Sequence, residues 1–148
     1  MTPSLVRGLA LPDRLMALID SGRWRHPGDV VLAEVIPWFA SPLDFLSTPE
    51  AMEWESGSMD VLADNTYFRE ARGSTAPVPL ELPWLDVEQA VLIAVNRIPG
   101  DDVALALDYR SDPADPCVVG TDFWTDPRVC QWRLVAPAFP AFAASLGL

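Results

Sequence analysis

The sequence has no lysine, one histidine and two cysteines, and each shortage narrows the chemistry open to the chain. All ten basic residues are arginine, so a phosphate-binding loop that depends on lysine is excluded, and no GxGxxG pattern occurs. His26 is the one histidine that a Ser-His-Asp or Cys-His site could use, but its place before Pro27 favours a solvated or capping role. Two cysteines and one histidine do not readily supply a zinc site. We therefore expect no catalytic set, no metal site and no cofactor.

Carboxylates are the remaining candidates for chemistry. Counted from Asp108, the spacing does not fit a calcium-binding EF-hand, because Pro113 and Val119 stand where that loop needs glycine and an acid. The remote alternative is an enzyme that uses buried carboxylates, which would need two or three acids converging in one closed pocket.

Long apolar runs are also absent. The longest, residues 90–95, has the length of a strand and falls far short of the ~20 residues of a membrane-spanning helix. Residues 1–7 lack the basic-then-apolar order of a signal peptide. The 148 residues fit one domain, so we predict a single cytoplasmic domain over 1–148. In that compartment Cys117 and Cys130 are expected to be buried thiols rather than a disulfide.

Acidic residues are abundant, and the formal net charge is -11. Such a surface repels nucleic acid and anionic membranes, and it attracts a basic protein partner. The acids concentrate in two stretches, residues 50–64 and residues 101–126. One alternative stays open: these acids are scattered, solvated turn residues that keep the protein soluble.

Two segments predict helices with clear boundaries. Leu11, Leu15, Leu18 and Ile19 lie on one helical face, and Gly22 ends that helix. Near the end of the chain, residues 139–146 show the same spacing and predict a closing helix. A third, short helix is expected from an N-cap at residues 47–48 to about residue 55, followed by a long loop over residues 56–79. Residues 30–36 are compatible with either a strand or a helical turn.

Four strands are predicted in the second half, at residues 90–95, 103–107, 117–120 and 131–135. Residues 98–101 suit a type II turn, with Pro99 and Gly100 at its centre, so the first two strands form an antiparallel hairpin. The predicted fold is therefore α+β, a mainly antiparallel sheet of about four to six strands with N-terminal helices and a C-terminal helix packed on it.

Six tryptophans are many for this length, and most are expected in the core. Trp124 is the expected exception, because it lies in a predicted loop between acids and would suit an interface anchor. The resulting candidate is an acidic and aromatic partner-binding surface made of Asp101, Asp102, Asp112, Asp115, Asp122, Trp124 and Asp126.

Three segments resemble a known family. They are Asn-Arg-Ile-Pro-Gly-Asp-Asp at residues 96–102 with the strand that follows it, Pro-Cys-Val-Val at residues 116–119, and Trp-Arg-Leu-Val-Ala-Pro-Ala-Phe-Pro-Ala-Phe at residues 132–142. Together they are similar to the central hairpin, closing strand and closing helix of the Smi1/Knr4 (SUKH) superfamily. Ala138 departs from the pattern, since the family usually has a serine there to cap the helix.

The resemblance covers about the last 65 residues well, and it implies protein binding without catalytic residues. Bacterial members resemble immunity proteins that bind and neutralise toxins. We therefore expect an immunity-type protein with a basic toxin as partner. The alternative is a regulatory scaffold with several partners, like the fungal members. Neither reading predicts the oligomeric state.

Overall fold

A computed structural model describes residues 4–37, 42–61, 89–97, 103–122 and 132–148 of the chain. The first half contains mostly helices and short strands: β1 Leu5–Val6, β2 Leu9–Ala10, α1 Asp13–Asp20, α2 Asp29–Val35, β3 Leu43–Phe45 and α3 Pro49–Val61. The second half contains the longer strands and one helix: β4 Ala90–Asn96, β5 Val103–Asp108, β6 Cys117–Asp122, β7 Trp132–Ala136 and α4 Phe139–Ser145.

The main sheet has five strands in the order β3-β4-β5-β6-β7, and every neighbouring pair is antiparallel. Strand β5 lies at its centre, and all six of its residues are buried. Because both of its faces are covered, β5 is apolar throughout except for its last residue, Asp108. The predicted α+β class and the antiparallel hairpin of β4 and β5 are confirmed.

Trp24 joins the helices to the sheet. Its ring is buried, with centroids 4.6 Å from Phe45 and 5.5 Å from Phe139, and its indole N–H donates to the carbonyl of Leu46 at 2.9 Å. Leu15 and Leu18 of α1 belong to the same core, as do Phe139 and Phe142 of α4. These contacts place the closing helix on the sheet, as the sequence predicts.

Two local predictions are settled or changed by the structure. Of the two alternatives for residues 30–36, the helix is present, as α2, because Leu32 and Ile36 are buried while Glu34 between them is exposed, and a strand would place all three on one face. Helix α3 continues to Val61, so the prediction of a loop was wrong for residues 56–61. Packing of α3 on β4 overrides the weak helix propensity of its glycine and serine residues. The rest of that predicted loop and the type II turn at 98–101 lie outside the described residues.

The burial of Cys117 differs from the prediction, and three short strands are present that the sequence did not predict. Cys117 is a free thiol, but it is half-buried rather than buried, and Cys130 lies outside the described residues. The hairpin of β1 and β2 and the edge strand β3 were not predicted. Strands of two or three residues are too short to show a periodicity, so only their pairing partners reveal them.

Candidate partner-binding surface

The predicted acidic surface is only partly described, and its described members do not lie together. Asp112 and Asp115 are exposed in the loop between β5 and β6, next to the paired residues Asp108 and Cys117. Asp122 ends β6 at the opposite end, where its backbone pairs with Val103. The two groups are therefore separated by the length of β6, about 17 Å. Asp101, Asp102, Trp124 and Asp126 lie outside the described residues.

The carboxylate of Asp112 has a local structural role. Its Oδ1 accepts the N–H of Ala114 at 3.0 Å, and its carbonyl accepts the N–H of Asp115 at 3.1 Å. This is the usual way in which an aspartate stabilises a turn. Part of the hydrogen-bonding capacity of Asp112 is therefore already used within its own loop.

An exposed tryptophan lies elsewhere, on helix α3. Trp54 is 81% exposed, more than any other large apolar side chain among the described residues. Met52 and Ser56 point into the protein from the same helix and are fully buried. Trp54 therefore lies on the opposite face, where Glu50, one helical turn earlier, is its neighbour. Leaving such a ring in water forgoes stabilisation on the order of 2–3 kcal/mol.

Sequence reasoning missed Trp54 because tryptophan is usually assigned to the core. A signal was present, since Met52 and Ser56 are four residues apart and Trp54 lies midway between them, on the other side of a helix. Helical spacing alone did not reveal it, because it does not indicate which side of α3 meets the sheet.

A cleft lies beside this helix face. It has a volume of about 460 Å³ and is lined by Leu5, Arg7 and Gly8 of the N-terminal hairpin and by Pro49, Glu50 and Glu53 of α3. Leu5 is 60% exposed at its edge. The lining combines apolar surface with two carboxylates and one guanidinium. We refer to this cleft together with Trp54 as the α3 surface.

The hairpin is attached to α3 through Arg7. Arg7 and Gly8 form the two-residue loop between β1 and β2, and both have positive φ, 55° and 79°, as a type I′ turn requires. A left-handed conformation costs an arginine about 1 kcal/mol or more. The backbone N–H of Arg7 donates to Glu53 Oε2 at 2.7 Å, and its Nη1 donates to the carbonyl of Ser56 at 3.4 Å. These bonds offset the strain and hold the two walls of the cleft together.

Asp108 and Tyr109 are buried polar residues outside this surface, and both are held in structural contacts. Asp108 and Arg110 form a bidentate ion pair, with Nη2 to Oδ2 and Nε to Oδ1 distances of 3.0 and 3.1 Å. The hydroxyl of Tyr109 donates to the carbonyl of Ala10 at 2.8 Å, and burial raises the pKa of that hydroxyl well above its ordinary value. Burial, and then the carboxylate of Asp108, raise the pKa of the Cys117 thiol.

Among the described residues, no group of three or more His, Cys, Asp or Glu side chains could hold a metal ion. None of the helices in the described parts of the chain is long and apolar enough to cross a membrane. In comparisons with known proteins, no family model, curated protein or solved structure matches the chain.

Proposed function

We propose that the protein is a non-catalytic, cytoplasmic binding domain of the immunity type, which binds and neutralises a basic toxin through the α3 surface. The observation that carries the proposal is the exposure of Trp54 on a helix face that also bears Glu50, beside a cleft lined by Glu50 and Glu53. Tryptophan is among the residues that contribute most to protein–protein binding, and it does so when the partner removes it from water.

The geometry of the α3 surface suits a protein partner better than a small molecule. Trp54 and Leu5 are exposed apolar groups outside the core, so an apolar patch of the partner would gain stabilisation by covering both. The cleft is held on both sides by the Arg7 contacts, and a preorganised surface loses little entropy on binding.

Charge supports a basic partner. The cleft carries two carboxylates against one guanidinium, and the whole chain carries a net charge of -11. Carboxylates around an apolar centre accelerate encounter with a basic surface and disfavour acidic competitors. A toxin that acts on nucleic acid would have such a surface, because phosphate binding needs basic side chains.

Membership in the Smi1/Knr4 (SUKH) superfamily is part of the proposal and rests on the resemblance at residues 96–109, 116–119 and 132–142. In the described residues, these segments include the last residue of β4, all of β5 and β7, and parts of β6 and α4. The regulatory scaffold of the same superfamily is the second candidate, and it differs by having several partners rather than one toxin.

The test uses the product of the gene adjacent to that of the chain, purified and titrated by calorimetry against the full-length protein. We expect one-to-one binding, and we expect Trp54→Ala to weaken it at least about 30-fold, which corresponds to 2 kcal/mol or more. Glu50→Lys should slow association and reduce its dependence on salt.

Val30→Ala is the matched control, because Val30 is 75% exposed on α2 and does not line the cleft. It should leave the affinity within about twofold. A double Asp112→Lys, Asp115→Lys variant tests the acidic loop predicted from sequence. If that variant abolishes binding while Trp54→Ala has no effect, the α3 surface is the wrong site. If the adjacent gene product does not bind at all, the immunity function is contradicted.

A further inference from the structure

A second cleft is lined by basic residues in an otherwise acidic protein. It has a volume of about 360 Å³. Arg23, Arg25, His26 and Pro27 form one wall, and residues 146–148 after helix α4 form the other. The protein has 21 acidic residues and 10 arginines, so two neighbouring arginines and a histidine in one cleft form a local reversal of charge.

The backbone that carries the two arginines is held rigidly. Gly22, with φ of 71°, ends α1, and the N–H groups of Arg23 and Trp24 both donate to the carbonyl of Leu18, at 2.8 and 3.1 Å. Trp24 is buried in the aromatic core, while Arg23 and Arg25 on either side of it are exposed. The buried ring therefore fixes the position from which both guanidinium groups reach the cleft.

Within the described segments, neither guanidinium has an acidic partner. Arg97 pairs with Asp44, and Arg110 pairs with Asp108, each at 3.0 Å. Arg23 and Arg25 form no ion pair or side-chain hydrogen bond with any part of the chain that the structure describes. In a chain where acids outnumber bases about two to one, this leaves ten N–H donors of two arginines available to an external acceptor.

The ring of His26 lines the cleft and is held in place by its neighbours. Its Nδ1 accepts the N–H of Gly28 at 2.9 Å, so the proton of the neutral ring is assigned to Nε2. The ring lies against Phe45 at a centroid distance of 5.4 Å. Nε2 is buried and has no hydrogen-bond partner among the residues that the structure describes, and Oδ1 of Asp29, at 3.6 Å, is outside hydrogen-bond reach.

We propose that this cleft binds the phosphate group of a small molecule. A phosphate offers several acceptor oxygens and two negative charges, which suit the planar N–H donors of Arg23 and Arg25. The exposed carboxylate of Asp29 opposes an anion at this place and limits the affinity. This binding is independent of the α3 surface and of the partner proposed for it.

The test is a proton–nitrogen NMR titration of the full chain at low ionic strength, with inorganic phosphate and glycerol phosphate as separate probes. We expect saturable shifts of the backbone N–H signals of residues 23–26, 28 and 146–148. Arg23→Gln and Arg25→Gln should each weaken binding at least about tenfold, the effect of losing one charged hydrogen bond. Asp29→Asn should strengthen it. Tighter binding of glycerol phosphate than of inorganic phosphate identifies a phosphate ester as the ligand, and the reverse identifies free phosphate.

Arg97→Gln is the control, because it removes an exposed arginine that lies directly after β4 and pairs with Asp44. It should leave phosphate binding unchanged. The proposal is overturned if sodium chloride at equal ionic strength produces the same shifts, if no saturation occurs, or if the Arg23→Gln, Arg25→Gln double variant binds phosphate as well as the original chain does. Because both arginines are exposed, we expect their variants to fold like the original chain. The melting temperature of each variant checks this.

Discussion

Ser56 and Leu92 connect helix α3 to the main sheet through one buried hydrogen bond, in which the Ser56 hydroxyl accepts the N–H of Leu92 at 2.9 Å. Leu92 lies where a β-bulge shifts the register between β4 and β5. Bulges leave backbone groups without their ladder partners, and a buried N–H without an acceptor is costly. The serine therefore stabilises the irregular part of β4 and at the same time sets the position of α3.

Replacing Ser56 with alanine should destabilise the protein by about 1–3 kcal/mol, because the buried N–H of Leu92 would lose its acceptor. Urea unfolding followed by tryptophan fluorescence measures the change. Ser145→Ala is the matched control, since Ser145 is an exposed helix residue whose hydroxyl donates to the carbonyl of Phe142. The control should change the free energy of unfolding by less than about 0.5 kcal/mol. Equal stability of the two variants would contradict the role given to Ser56.

Ala138 occupies the N-cap of helix α4 without capping it. Its backbone is extended, with φ of -154° and ψ of 155°, and no side-chain cap hydrogen bond is present. Pro140 in the first turn has no N–H, so the N–H of Ala141 is the group that a cap would bind. Ala138→Ser should stabilise the protein by about 0.5–1 kcal/mol.

The measurement is the melting temperature, with Ala144→Ser as control because that position lies exposed in the same helix. The control should be neutral or slightly destabilising, since serine in a helix interior is less favourable than alanine. A melting temperature of Ala138→Ser at or below that of the original chain would contradict the cap.

Stability should fall at alkaline pH, because burial raises the pKa of both Tyr109 and the Cys117 thiol. In the unfolded chain these groups ionise near their ordinary values of 10.0 and 9.0. Since the folded state holds them neutral, their contribution is complete below about pH 9 and is lost as the pH rises further. Urea unfolding from about pH 8 to about pH 11 measures the slope.

Variants separate the two groups. Cys117→Ser should remove the part of the slope that begins near pH 9, and Tyr109→Phe the part that begins near pH 10. Tyr109→Phe also loses the hydrogen bond to Ala10, so it should be less stable at neutral pH, but the slope is the readout. Ser145→Ala should retain the full slope. A chain whose stability is constant over this range would show that neither ionisation is linked to folding.

Some of the fold could be predicted because burial on two faces has a direct signature in sequence. The residues of β4 and β5 are almost continuously apolar, and β7 and α4 follow with clear periodicity. By contrast, residues 29–35 contain β-branched side chains that favour a strand, yet they form a helix. In a strand Leu32, Glu34 and Ile36 would share one face, whereas in the helix Leu32 and Ile36 are buried and Glu34 stays exposed.

The candidate surface was predicted less well, and the reason is geometric. The sequence shows how many acids lie at residues 101–126. It does not show that Asp115 and Asp122 lie at opposite ends of β6, because their separation depends on how that strand pairs. Sequence reasoning also assigned most tryptophans to the core by residue type, with Trp124 rather than Trp54 as the expected exception. Trp54 is exposed because Met52 and Ser56, rather than Trp54, meet β4 and its surroundings.

The sequence by itself therefore determined the excess of negative charge, the lack of lysine, the apolar strands and the closing helix, because these depend on composition and on the spacing of neighbouring residues. Only the tertiary structure decided where that charge is reversed, at Arg23 and Arg25, and where an apolar ring is left in water, at Trp54. Both depend on contacts between residues far apart in the chain. The spacing of neighbouring residues indicates which side chains share one face of a helix or strand. It does not indicate which other element packs on that face, or whether solvent covers it.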